Sequence, residues 1–323
     1  MSKILVTGAT GFVGQALCAR MLDEGGQVRG TIRSMKQMDS LPTRIESVCI
    51  ESIAYDTDWS AALNGVDIVV HLAAREHIMK ESDADSIEAF REINVIGTER
   101  LARMAAAVGV RRFVFLSSVK VNGEGKATPY TEHDEVWPKD PYGVSKWEAE
   151  QALQKVVMET GLEVVILRPP LAYGPRVKAN FLSLLQIVSS GIPLPLKSII
   201  NRRSFIYLGN LVDAIVTCVN HPHAAGQTYL VSDDEDISTP ELLRRVASAL
   251  DRPARLIPFP PALLQLSGRL FGKSGSVERL LGSLSVDISK IRNELNWTPP
   301  YTMRQGLKKT AAWFIGNCRQ SDV

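Results

Sequence analysis

The chain has 323 residues, 45% of them hydrophobic, enough for one large domain or two interlocked smaller ones. Its formal net charge of +2 provides no overall field toward nucleic acid or an anionic membrane, and no apolar run approaches the roughly 18 residues of a spanning helix. Cys18, Cys49, Cys218 and Cys318 lie far apart without paired spacing, which argues against a disulfide framework or a zinc site and fits a reducing, cytoplasmic setting.

Met1-Ser2-Lys3 runs straight into an apolar strand at residues 4–7, so no secretory leader is expected. The strand ends in Thr7-Gly8-Ala9-Thr10-Gly11-Phe12-Val13-Gly14, which opens a helix predicted over residues 12–24. Glycines at 8, 11 and 14 let the backbone turn tightly and approach a pyrophosphate, and the helix N-terminus supplies N–H groups and a positive dipole end. Strand before and helix after mark a dinucleotide loop; glycines alone would fit a plain turn. The second strand, residues 28–32, ends in Arg33 and Ser34, with Arg29 close by. A cofactor lacking a 2′-phosphate usually meets Asp or Glu here, whereas guanidinium groups suit a phosphate. NADP(H) is therefore expected over NAD(H).

Strands follow at residues 48–53 and 68–72, the latter with a structural His71 near its end. A long helix is expected over residues 86–108, after an acidic, solvated segment at Glu81 to Glu88. The strand at residues 113–117 ends in hydroxyls, Ser117 and Ser118, at the strand edge where open α/β sheets bind ligands. The breaker run Pro138-Lys139-Asp140-Pro141 precedes a helix over residues 142–160, placing Tyr142 and Lys146 one turn apart on one face. A unit charge about 5 Å from the phenol, at an effective dielectric of about 20, favours the phenolate by roughly 3 kcal/mol. That is enough to bring proton exchange with a substrate oxygen toward working pH.

Strands alternating with helices, including one at residues 164–167, predict an α/β fold: a doubly wound parallel sheet with helices on both faces. After Pro175 the pattern loosens, with proline clusters at residues 192–195 and 258–261. Helices are expected from the Ser238-Thr239-Pro240-Glu241 cap to Leu250 and over residues 302–314. Residues 1–174, with 204–232 returning, form the expected nucleotide-binding domain. Residues 175–203 and 233–323 form a smaller interleaved substrate domain. His77, His133, His221 and His223 show no metal spacing, and no metal is expected.

These motifs, with His71-Leu72-Ala73-Ala74, Asn94, Gly97-Thr98, Arg168-Pro169-Pro170 and Asp287 through Trp297-Thr298-Pro299, resemble the extended short-chain dehydrogenases/reductases of the nucleotide-sugar epimerase/dehydratase group, which have a Rossmann fold. The resemblance implies Ser118, Tyr142 and Lys146 as catalytic residues, with Lys146 also holding the nicotinamide ribose. It implies backbone contacts to the cofactor from Leu72, Ala73 and Ala74. It implies contacts to the diphosphate of a UDP-sugar from Asn180, Phe181, Arg203 and, less typically spaced, Arg279. It also implies a homodimer through the two long helices. Where dehydratases of the group carry Asp-Glu after the catalytic hydroxyl, this chain has Val119-Lys120. Asn122 replaces a usual Tyr, Leu171 a usual Asn, and Ser52 a usual acid. Ser118 through Glu124 and Trp147 through Gln151 resemble the UDP-4-keto-6-deoxy-N-acetylhexosamine 4-reductases of surface polysaccharide synthesis, so C4 reduction is the expected activity. A UDP-hexose 4-epimerase with tightly bound NAD is the alternative, and a non-catalytic dinucleotide-binding regulator the third reading.

Overall fold

The computed structural model describes residues 2–75, 83–270, 272 and 274–321; His77, Glu81 and the Cys318 side chain lie outside the described residues. Its strands are β1 (Lys3–Thr7), β2 (Gln27–Ile32), β3 (Glu46–Cys49), β4 (Ile68–His71), β5 (Arg112–Leu116), β6 (Glu163–Arg168), β7 (Leu171–Tyr173), β8 (Arg203–Tyr207), β9 (Thr228–Leu230) and β10 (Asp236–Ile237). Seven pair in parallel in the order β3-β2-β1-β4-β5-β6-β9. A second sheet, β10-β8-β7, sits in the C-terminal half. Within the segment 204–232, β9 joins the main sheet beside β6 while β8 builds the small one.

Strand alternation sorts the core onto two faces. Val6, Val70, Val114 and Val165 pack against helices Phe12–Asp23 and Leu208–Asn220. Leu5, Val69, Phe113 and Ile166 face helices Gly97–Ala107 and Pro141–Thr160. Both faces are covered, as near-continuous apolar strands require. Cys18 and Cys218 are part of the first layer, and burial pushes both thiols up to about 12, so they act as small apolar side chains.

Two elements differ from the sequence expectation. β3 begins at Glu46 and ends at Cys49 rather than spanning 48–53. It is an edge strand with half-exposed side chains, so its apolar signal is weak. The helix expected over 86–108 is two helices, Asp83–Arg91 and Gly97–Ala107, joined by a π turn at Glu92–Ile96. The widened turn carries the buried Asn94, whose amide donates to Ser145 Oγ at 3.0 Å and brackets the Arg75 backbone. Such insertions recur at functional sites.

Helix Pro141–Thr160 starts where the breaker run placed it. Asp140 caps it, its Oδ1 accepting the Gly143 N–H at 2.7 Å, with Pro141 in the first turn. Gly161, at φ 74°, ends it. Asp140 also forms an ion pair with Lys120. Asp140→Ala is expected to cost about 1 kcal/mol and lower the thermal midpoint by about 2–4 °C in a calorimetric scan.

Candidate active site

Strand order reverses between β1 and β4, and ligands of open α/β sheets bind beyond the carboxyl ends at such a point. There the Thr7 hydroxyl lies 2.7 Å from His71 Nδ1 and accepts the N–H groups of Leu72 and Ala73 at 3.2 Å each. His71 Nε2 lies 2.9 Å from Thr98 Oγ1. Burial, aided by the nearby Lys146 ammonium, holds the imidazole down to about 3. His71 is thus a neutral strut tying β1, β4 and helix Gly97–Ala107, as its sequence position suggested.

The glycine loop rests on that strut. Gly8 has φ +67°, and a Cβ there would come within 2.9 Å of the Ala73 nitrogen. A Cβ on Gly14 would lie 2.1 Å from the Gly8 carbonyl oxygen. At Gly11 a Cβ would meet only that same carbonyl, at 3.1 Å. No side chain caps helix Phe12–Asp23 at Gly11, so its first-turn N–H groups have no side-chain acceptor from the cap position. Thr10, Phe12 and Val13 are half-buried on the loop, and Leu72, Ala73 and Ala74 half-buried on the facing rim. This cradle fits a dinucleotide pyrophosphate. Gly14→Ala, which must spread the loop, is expected to abolish co-purification of nucleotide, read by absorbance after denaturation.

Arg29 is not available to a 2′-phosphate. It is buried, its Nη1 donating to the carbonyls of Ala61, Ala62 and Asn64 at 2.8–3.0 Å and its Nη2 to Glu46 at 2.6 Å. Its strand position faces the carbonyl end of the short helix Ser60–Leu63, a partner too distant in sequence to foresee. Only Arg33 and Ser34 remain exposed at the end of β2.

Tyr142 is half-buried, its ring 6.3 Å from that of Phe90. Lys146 Nζ lies 5.9 Å from the Tyr142 ring centroid and 4.5 Å from that of Phe115, and donates to the Leu116 carbonyl at 2.8 Å. The ammonium is buried and fixed, which strengthens its pull on the phenol. Ser118 follows β5 and caps the turn Val119–Val121, its Oγ accepting the Lys120 N–H at 3.3 Å. Gly143 sits so close to the Lys120 carbonyl that a Cβ would approach to 2.9 Å, which packs the Ser118 loop onto the Tyr142 turn.

Behind these residues lies a buried network that sequence reasoning missed. Glu150 is 1% exposed, on the same helix as Lys146 and one turn further. It accepts Ser117 Oγ at 2.5 Å and pairs with Arg168 through both carboxylate oxygens, at 3.0 and 2.5 Å. Arg168 also donates to Asn122 Oδ1 at 3.2 Å, which explains an amide where the family has Tyr. The Lys146-to-Glu150 spacing on one helix face was the available signal.

The implied sugar-site residues differ in exposure and partners. Asn180 is exposed at the start of helix Ala179–Ser189, but Phe181 turns into the core and stacks on Tyr173 at 5.2 Å. Arg176 and Ala179 have φ of 70° and 49°, strain that non-glycine residues keep mainly near functional sites. Arg203 donates to the carbonyls of Arg279 and Gly282 at 2.7 and 3.0 Å, and burial holds its guanidinium below the usual range. Arg279 is exposed, its Nε bonded to its own helix at Gly275. Among the described residues no group of three His, Cys, Asp or Glu converges on a cation site.

The pattern of the NAD dependent epimerase/dehydratase family matches residues 4–232, from β1 past β9. The chain is 45% identical to UDP-glucose 4-epimerase of Vibrio cholerae over 97% of this chain and 95% of that protein. It is 27% identical to N-acetyl-alpha-D-glucosaminyl-diphospho-ditrans,octacis-undecaprenol 4-epimerase of Escherichia coli O157:H7, over 99% and 98%. In fold it is similar to UDP-N-acetylglucosamine 4-epimerase from Bacillus cereus, with a TM-score of 0.80 at 20% identity over 98% of this chain and 100% of that one. UDP-glucuronic acid 4-epimerase from the same organism, solved in complex with NAD, gives 0.78 at 22% identity over 97% and 99%. The chain is an enzyme of the NAD dependent epimerase/dehydratase family.

Proposed function

We propose that this enzyme is a UDP-hexose 4-epimerase that keeps NAD bound through turnover. The observation that carries the reading is the fixed Lys146 ammonium 5.9 Å from the Tyr142 ring, at the sheet edge that also holds the glycine cradle. The 4-reductase expectation gives way to its alternative, because the relative matching at 45% identity is a UDP-glucose 4-epimerase. NAD replaces NADP in the same step: with Arg29 bound to carbonyls, Arg33 is the remaining guanidinium of the pair expected at a 2′-phosphate. A dehydratase is disfavoured because Lys120 occupies the place of its acid and pairs with Asp140 and Glu124.

NAD, when bound, supplies the two-electron acceptor and donor. Tyr142, its phenolate favoured by Lys146, takes the proton of the sugar 4-hydroxyl and returns it after the keto-sugar has turned over its face. The Ser118 hydroxyl holds the same sugar oxygen. Asn180 and Arg203 meet the diphosphate, with Arg279 beside them and Phe181 contributing backbone alone. Residues 1–174, with 204–232 returning to them, carry the cofactor, and 175–203 with 233–323 the sugar nucleotide. A homodimer forms through helices Gly97–Ala107 and Pro141–Thr160, and its mass in solution tests that.

The purified protein, given UDP-galactose or UDP-N-acetylgalactosamine with no added cofactor, is expected to form the gluco epimer and to release NAD on denaturation. Turnover only on a UDP-4-keto sugar with stoichiometric NADPH consumption would reinstate the reductase.

A further inference from the structure

The net charge of +2 hides a one-sided segment. Between Arg252 and Val277 the sequence contains Arg252, Arg255, Arg269 and Lys273 and no Asp or Glu. In the same stretch helix Pro261–Leu270 lies almost uncovered: Leu263, Leu266 and Leu270 are 48%, 52% and 74% exposed. Their spacing of three and four puts them on one side of the helix, while Leu264, Ser267 and Gly268 take the inward side. The segment leading into the helix continues this surface. Leu256 bridges Leu194, and Ile257 exchanges backbone hydrogen bonds with Leu194 and Lys197. Strand alternation then turns Arg255 and Ile257, both exposed, to the outside. Among the described residues, Arg252, Arg255, Arg269 and Lys197 make no ion pair with a carboxylate. The helix therefore presents leucines with exposed arginines beside them, and no acid in its segment offsets their charge.

We infer that this face docks the enzyme on an anionic lipid surface, with helix Pro261–Leu270 lying in the headgroup plane. Apolar side chains that enter the acyl boundary, beside arginines that meet lipid phosphates, are what an interfacial helix needs. A second copy of the same face would bring like charges together, so charge selects the lipid over self-association. The face includes none of the residues assigned to the Tyr142 site, and no spanning helix is involved: none of the described helices is long and apolar enough to cross a membrane.

The test is flotation of the full chain with phosphatidylcholine vesicles and with vesicles that also contain phosphatidylglycerol. Binding is expected to be at least about tenfold stronger to the anionic vesicles and to fall as salt is raised. Leu263→Glu with Leu266→Glu is expected to abolish it. Arg255→Ala with Arg269→Ala is expected to weaken it roughly tenfold or more. Both variants should keep the wild-type thermal midpoint and turnover of soluble UDP-hexose, which separates lost docking from lost folding. Equal partitioning to both vesicle types, no partitioning to either, or self-association that disappears in the leucine variant would each overturn the inference.

Discussion

Tyr142→Phe is expected to lower UDP-hexose turnover by about 10²–10⁴-fold while the folded protein and its bound nucleotide persist. The substitution removes one oxygen and keeps the ring, including its edge contact with Phe90, so packing has no reason to change. The loss belongs in kcat, because the phenol acts on the proton in transit and not on the diphosphate that anchors substrate. Lys146→Met supplies the electrostatic counterpart. Without the ammonium the phenol holds its proton more firmly, so the acid limb of the kcat profile moves to higher pH. Steady-state rates across pH on the two variants check both statements. A Phe variant that retains wild-type turnover would remove Tyr142 from the chemistry.

Glu150→Ala is the second large effect, expected to lower stability by about 3–5 kcal/mol as read from urea unfolding. Arg168 and Glu150 are 4% and 1% exposed, so truncating the carboxylate leaves a guanidinium charge in the interior and frees the Ser117 hydroxyl. Replacing both partners with apolar residues, Glu150→Leu with Arg168→Met, is expected to recover much of that stability, since no charge is then left unpaired. Turnover should not recover with it. The pair fixes the end of β5 against the Tyr142 helix, and Ser118 is the next residue along. A double variant as active as wild type would make the network structural only.

The parallel sheet was legible because its strands are buried on both faces and so carry uninterrupted apolar runs. The Tyr142 helix was legible because Pro141 and the Asp140 cap mark its start within a residue. β3 was misplaced where one edge faces solvent and the apolar signal thins. The π turn at Glu92–Ile96 left no trace, since helix periodicity survives one widened turn. The short strands β7 and β10 are three and two residues long, below what alternation can mark.

At the site, local relations were readable and distant ones were not. Tyr142 and Lys146 lie one turn apart on a single helix, so their approach follows from geometry alone. Arg29 looked like a phosphate ligand because its carbonyl partners lie 32 to 35 residues away. The Phe181 ring stacks on Tyr173 in the core, a contact that sequence spacing does not indicate. Glu150 looked like one more helix carboxylate, and only the convergence of β5, β6 and the Asn122 loop shows that it is buried and paired.

The most direct measurement uses a UDP-hexose carrying deuterium at C4, incubated with the purified protein in ordinary water without added nicotinamide nucleotide. Proton exchange through Tyr142 at the 4-oxygen, coupled to redox at the carbon, predicts a 4-epimer that keeps its label at C4. An epimer whose C4 label has been lost to water, or no epimer at all, would contradict it.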